Sequence, residues 1–116
     1  MDSPGASGAR RHLSRPGRVA LVTETLDELR GPTSGVVELP HRLMWQADRS
    51  VDLDDPFERR WAYEIVLREA IRIDELRAWL DAGTLLELWP QLILPRGVRQ
   101  AWEERHPELA RQRASA

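Results

Sequence analysis

The chain has 116 residues, a length that favours one small domain. It contains no Cys, which excludes disulfides, thiolate zinc sites and thiol catalysis. No apolar run reaches the ~18–20 residues that a membrane-spanning helix needs, and no secretory pattern follows the N-terminus, so we expect a cytoplasmic protein. All 17 basic residues are Arg, which a GC-rich genome explains.

Charge is distributed unevenly along the chain. Residues 1–18 carry four Arg against one Asp, a net charge of +3, whereas the remainder carries 13 Arg against 18 acidic residues, a net charge of −5. An acidic domain argues against a general nucleic-acid-binding surface, because phosphate contacts need an excess of basic side chains.

The N-terminal segment 1–18 is rich in Gly, Ser, Pro and Arg and has one large apolar residue, so we expect a disordered basic tail. A solvated tail is the simplest interpretation, and an arm that binds nucleic acid is the alternative. A third interpretation is that the native chain begins at Val19 or Val22, from a GTG codon. The intact mass of the native protein would distinguish a chain that begins at Met1 from one that begins at Val19 or Val22. The arginines of this arm are Arg10, Arg11, Arg15 and Arg18.

We predict a single domain at 19–107, followed by a frayed tail at 108–116. The patterns indicate a mainly α (α+β) fold, with four or five short helices and a small patch of two or three β-strands. Thr25 and Glu28 have the spacing of a capping box, which predicts a helical turn that ends at Gly31.

The β patch is predicted from three short apolar stretches. The first strand lies at 36–39 and ends at Pro40. The second contains Leu43 and Trp45, which alternate with polar residues, and the third contains Val51 and Leu53.

A strong helix start follows the β patch. Asp55 is a good N-cap, Pro56 suits the first helical position, and Glu58 has the spacing of a capping box. The helix should run to about Ala70. We expect its buried stripe to contain Phe57, Trp61 and Ile65 and to be broadened by Ala62, Val66 and Ala70. We expect Glu64 and Arg68 to pair on its outer side.

Three more helices are predicted in the second half. One begins near Asp74 and ends at Gly83, and the next is capped by Thr84 and ends at Pro90. The last helix begins at Pro95 and runs to Arg105. Its buried residues are predicted to be Val98 and Trp102, with Leu109 packed behind them.

The polar clusters carry no catalytic pattern. Asp52, Asp54 and Asp55 form a D-x-D-D cluster that suggests a metal site, but an N-cap explains Asp55 and acidic residues suit a helix start. The Gly-rich stretch at 31–35 lacks the Lys of a phosphate-binding loop. The three histidines, His12, His41 and His106, have no spacing that predicts zinc or a triad. We therefore expect no enzyme activity, no metal and no cofactor.

Five Trp in so short a chain are more than one small core is expected to enclose. Trp61, Trp79 and Trp102 have apolar companions at helical spacing, which favours a core position. Trp45 and Trp89 are the candidates for an exposed partner-binding anchor. Arg96 and Arg99, on the last helix, are predicted to contribute to the same binding.

Three stretches carry a resemblance: GPTSGVVELP at 31–40, YEIVLREA at 63–70 and LPRGVRQAWEERHP at 94–107. With them, the chain resembles a set of short uncharacterised proteins of high-GC bacteria that are encoded beside nucleotidyltransferase-like toxins and are sometimes described as regulators. The resemblance implies an antitoxin-like or partner-binding role. It brings no catalytic motif, so it assigns no residue a role.

The expected function is a non-enzymatic protein-interaction module with a protein partner and no membrane contact, either as a monomer or as a homo-oligomer. The alternative is a DNA-binding regulator that uses the basic arm.

Overall fold

The computed structural model describes residues 13–15 and 18–115, with side chains from residue 20 onward. It confirms the predicted mainly helical α+β fold. Arg10, Arg11 and His12 lie outside the described residues. The described α-helices are α1 (Pro56–Glu69), α2 (Ile73–Trp79), α3 (Ala82–Leu88), α4 (Arg96–Arg105) and α5 (Pro107–Ser115). The strands are β1 (Leu13–Arg15), β2 (Arg18–Val19), β3 (Val36–Glu38) and β4 (Ser50–Asp52), and short 3-10 helices lie at Leu26–Glu28 and Trp89–Gln91.

The described strands form two antiparallel pairs, β1 with β2 and β3 with β4. The first predicted strand is confirmed as β3, and its partner is β4, with Val37 opposite Val51. The predicted strand through Leu43 and Trp45 is wrong. Its residues turn instead, because the Leu43 and Met44 amides both donate to the Pro40 carbonyl, at 3.0 and 3.1 Å.

Helix α1 begins as predicted, with the Asp55 carboxylate accepting from the amides of Phe57 and Glu58 at 2.8 and 3.3 Å. The predicted capping box is wrong in one respect. Glu58 accepts from the Asp52 amide at 2.9 Å and so ties the helix to β4. The predicted buried stripe also differs, since Phe57 is exposed and Trp61 is half-buried. Ala62, Ile65, Val66 and Ala70 are buried as predicted. Because both α2 and β4 pack on α1, its buried face also includes Tyr63 and Leu67.

The predicted ion pair between Glu64 and Arg68 is not formed. The Glu64 carboxylate accepts from the Ile93 amide at 2.7 Å, and Arg68 pairs with Glu69 at 3.2 Å. The tertiary fold brings a backbone donor from the connector after α3 within reach of Glu64, whose local ion pair is with Arg60, at 4.0 Å, instead of Arg68.

The predicted helix from Asp74 to Gly83 ends earlier, at Trp79 of α2, and the next predicted helix begins earlier, at Ala82 of α3, which leaves a break at Leu80 and Asp81. A non-local segment causes the break: the Gly31 amide donates to the Leu80 carbonyl at 2.8 Å, and the Ala82 amide donates to the Leu29 carbonyl at 3.1 Å. Asp81 rather than Thr84 caps α3, since its carboxylate accepts from the Thr84 amide at 3.0 Å. The segment 29–31 thus occupies the backbone positions that a continuous helix would need.

Gly31 permits this close approach. A Cβ at this position would lie 2.7 Å from the carbonyl oxygen of Ala78, closer than real Cβ atoms approach backbone. Gly31 therefore has a packing role. The predicted end of the helical turn at Gly31 is wrong, because the 3-10 helix already ends at Glu28.

Helix α4 lies where the sequence predicts it, and Val98, Trp102 and Leu109 are fully buried. The expectation of a frayed tail at 108–116 differs from the structure, in which α5 continues to Ser115. Leu109 supplies the physical reason, because its burial against the core fixes α5 through tertiary packing that local sequence patterns do not report.

Candidate interaction groove

The loop that joins β3 to β4 presents the most exposed tryptophan of the described chain. We call residues 40–48 the Trp45 loop. Its two ends are joined by a hydrogen bond from the Leu39 amide to the Arg49 carbonyl at 3.0 Å and by one from Arg49 Nε to the Leu39 carbonyl at 2.9 Å. The ends of the loop are therefore fixed by the same ladder that forms the sheet.

Buried side chains hold the Trp45 loop between its ends. Leu43 and Met44 are each 4% exposed, and Arg42 forms an ion pair with Glu75. Glu75 is itself fixed, since its Oε1 accepts from the amides of Ile71 and Arg72 at the start of α2, at 2.9 and 3.1 Å. Arg42 thereby attaches the loop to α2.

Trp45 is 79% exposed although the two residues before it are buried. Because Leu43 and Met44 are packed in the core, the backbone at Trp45 is held in place while its indole points to solvent. The backbone at this position loses little conformational freedom when a partner covers the indole, which is a property of an interface anchor.

Trp45 lines a groove between its loop and α1, with a volume of about 340 Å³. We call this the Trp45 groove. Such a volume suits one or two side chains of a partner better than a large cofactor. Its lining residues are Arg42, Leu43, Met44, Trp45 and Gln46 from the loop and Trp61, Ile65, Arg68 and Glu69 from α1.

The sequence pattern indicates Trp45 as an anchor but not the rest of the groove. Trp61, predicted to lie in the core, is half-buried with one side open to the groove. No sequence pattern points to Arg42 or Arg68, because the packing of the Trp45 loop against α1 decides which side chains become neighbours.

Trp89 lies away from this surface. It is completely buried, so the prediction of an exposed anchor at this position is wrong. Its indole Nε1 donates to Glu103 at 2.8 Å, and the Arg99 guanidinium lies 5.0 Å from its ring centroid. The 3-10 turn at Trp89–Gln91 directs the indole inward. The sequence pattern predicts instead a helix end at the surface.

Arg99 and Glu103 belong to the same buried cluster. Arg99 also donates to the Leu92 carbonyl, and burial lowers the pKa of its guanidinium. A hydrogen bond from Arg113 lowers the pKa of the Glu103 carboxyl. Arg99 is therefore a structural residue, whereas Arg96 is exposed at the start of α4 and does not line the Trp45 groove.

The D-x-D-D cluster acts in local structure. Asp55 caps α1, Asp52 accepts from the Asp54 amide at 3.0 Å, and Asp54 accepts from the Gly35 amide at 3.3 Å. Over residues 13–15 and 18–115, no group of three or more His, Cys, Asp or Glu side chains is placed to hold a metal ion.

The remaining arginines of the predicted set lie in the N-terminal segment. Arg15 and Arg18 are register partners where β1 pairs with β2.

Within the described part of the chain, no helix is both long enough and apolar enough to cross a membrane. No family model, curated protein or solved structure matches this chain.

Proposed function

We propose that the protein is a non-enzymatic interaction module that binds another protein through the Trp45 groove, in an antitoxin-like or regulatory role. One observation carries the proposal: Trp45 is 79% exposed on a loop in which the two preceding residues, Leu43 and Met44, are buried and whose ends are hydrogen-bonded. A large aromatic side chain that stays in water contributes no burial free energy to the isolated protein. A partner that covers the indole would gain this free energy on binding.

Co-purification tests this proposal. The tagged full-length chain is expressed in the organism that encodes it, beside the variants Trp45→Ala and Phe57→Ala. Phe57 is a matched control, because it is also an exposed aromatic, at 67%, but lies outside the groove lining.

We expect one protein to be recovered in near-stoichiometric amount with the wild type and with Phe57→Ala. Its recovery should fall by about tenfold or more with Trp45→Ala, the size expected for an aromatic hot spot. If the wild type is recovered alone and monomeric, or if Trp45→Ala retains the partner, the proposal is wrong.

DNA binding by the basic arm is a second candidate. The register that places Arg15 opposite Arg18 brings two arginine positions of the arm side by side, which favours a phosphate contact. A duplex-binding assay over a range of salt concentrations tests it. A steep loss of affinity with rising salt concentration would support DNA binding by the arm. Absence of binding at low salt would exclude this function.

A further inference from the structure

The rim of the Trp45 groove is cationic toward solvent although the domain as a whole is acidic. The side chains of Arg42 and Arg68 are 37% and 38% exposed, whereas those of their partners Glu75 and Glu69 are only 11% and 20% exposed. An approaching ligand therefore meets more of the guanidinium surface than of the carboxylate surface, although Glu69 also lines the groove.

Each of these arginines retains donor capacity. Arg68 contacts Glu69 through Nε at 3.2 Å, and no described residue accepts from its two terminal nitrogens. Arg42 contacts Glu75 through one terminal nitrogen. A guanidinium carries five N–H donors, so both groups can bind a further carboxylate without losing their present partners.

The apolar part of the groove lies between these charges. Trp45 and Trp61 line it together with Ile65, and the volume of about 340 Å³ is at the small end for a ligand site. A groove of this volume suits a single apolar side chain of a peptide, while the adjoining residues of that peptide lie at the rim.

From this arrangement we propose that the Trp45 groove binds an acidic segment of a partner protein, in which an apolar side chain enters between Trp45 and Trp61 and a neighbouring carboxylate binds Arg68. This inference rests on the proposed function and specifies the chemistry of the partner. A nucleic-acid strand is disfavoured as occupant, because the net charge of −5 over residues 19–116 repels a phosphate backbone.

The test uses three capped dipeptides: the acidic Ac-Phe-Asp-NH₂, its neutral isostere Ac-Phe-Asn-NH₂ and the basic Ac-Phe-Lys-NH₂. Each is titrated into the ¹⁵N-labelled full chain, and the indole N–H signals of Trp45 and Trp61 are followed by NMR. A short oligothymidylate is titrated in parallel. The variants are Arg68→Gln and the matched control Arg60→Gln, since Arg60 is on the same helix but does not line the groove.

We expect the Asp peptide to shift both indole signals and to bind about threefold to fivefold more tightly than the Asn peptide, the range for a solvent-exposed ion pair. The Lys peptide should bind more weakly still, and the Asp preference should shrink in high salt. Arg68→Gln should abolish the preference, whereas Arg60→Gln should retain it.

Equal binding of the Asp and Asn peptides, tighter binding of the Lys peptide or of oligothymidylate, or no shift of either indole with any probe would overturn the inference. These outcomes are distinguishable from failure of the proposed function. If Trp45→Ala still abolishes co-purification while the charge preference is absent, only the inference about an acidic segment is wrong.

Discussion

The completely buried Trp89 indole donates a 2.8 Å hydrogen bond to the half-buried carboxylate of Glu103 on α4. The second fully buried indole, that of Trp102, has no acceptor for its Nε1 among the described residues. Two tryptophans of equal burial therefore differ in one hydrogen bond, and this difference can be measured.

Replacing Trp89 with Phe should cost more stability than replacing Trp102 with Phe. Both changes remove similar volume, but only the first removes a hydrogen bond to a charged acceptor, worth about 1.5–3 kcal/mol. We expect the free energy of unfolding in urea to fall further for Trp89→Phe by an amount within that range. Equal losses for the two variants would contradict a stabilising role for the Glu103 contact.

Trp45→Ala should leave the fold almost unchanged. The indole is 79% exposed, and surface substitutions usually alter the free energy of unfolding by no more than about 0.5 kcal/mol. Denaturant unfolding of the variant measures this value. A loss above about 2 kcal/mol would mean that Trp45 is a packing residue, and loss of partner capture would then have a structural cause.

Gly31→Ala should destabilise the protein by about 1–3 kcal/mol, because the added methyl group meets backbone atoms of the α2 C-terminus at 2.7 Å. Gly83→Ala is the control. Gly83 lies in the first turn of α3 with its nearest neighbour at 3.5 Å, so Ala there should be neutral or stabilising by up to about 1 kcal/mol. Thermal unfolding of the two variants should therefore give shifts of different sign.

Leu109→Ala should lower the free energy of unfolding by about 2–5 kcal/mol, the usual cost of a large-to-small change in a core. Arg111→Ala, two residues further along and exposed, should have an effect near zero. If both substitutions are silent in denaturant unfolding, residues 108–115 behave as the frayed tail that the sequence predicts.

Stability should fall as the pH is lowered below about 6.5, in part because of His106. Burial lowers the pKa of its imidazole from the ordinary value of 6.5, and the ring lies 2.9 Å from the carbonyl oxygen of Thr23. The unfolded chain therefore binds a proton in a pH range where the folded chain does not, so unfolding is favoured on acidification through that range.

His106→Gln isolates this contribution, because the amide can donate to the same carbonyl but does not titrate. We expect the free energy of unfolding of the wild type to drop more than that of the variant between pH 7.5 and pH 5.5. This window lies above the ordinary Glu pKa of 4.5, so the carboxyls with lowered pKa values, Glu28 and Glu103, contribute little to it. Parallel pH profiles would show that His106 is not the titrating group.

Local sequence signals predicted the elements that form from neighbouring residues. Asp55 and Pro56 specify the start of α1, and Val98 and Trp102 specify the buried face of α4, because capping and helical periodicity act within about one turn. They also identified Trp45 as a candidate anchor. The mainly helical α+β class follows from the same local signals.

Contacts between distant residues decided the rest. Trp89 and Trp45 are alike in sequence terms, yet one is buried by α4 and α5 and the other is left in solvent by a loop anchored through Leu43 and Met44. The segment at Gly31 moves the boundary between α2 and α3 away from its predicted place at Gly83, and burial of Leu109 orders the C-terminal helix. Burial and backbone pairing between distant segments depend on three-dimensional packing, which no local window of sequence contains.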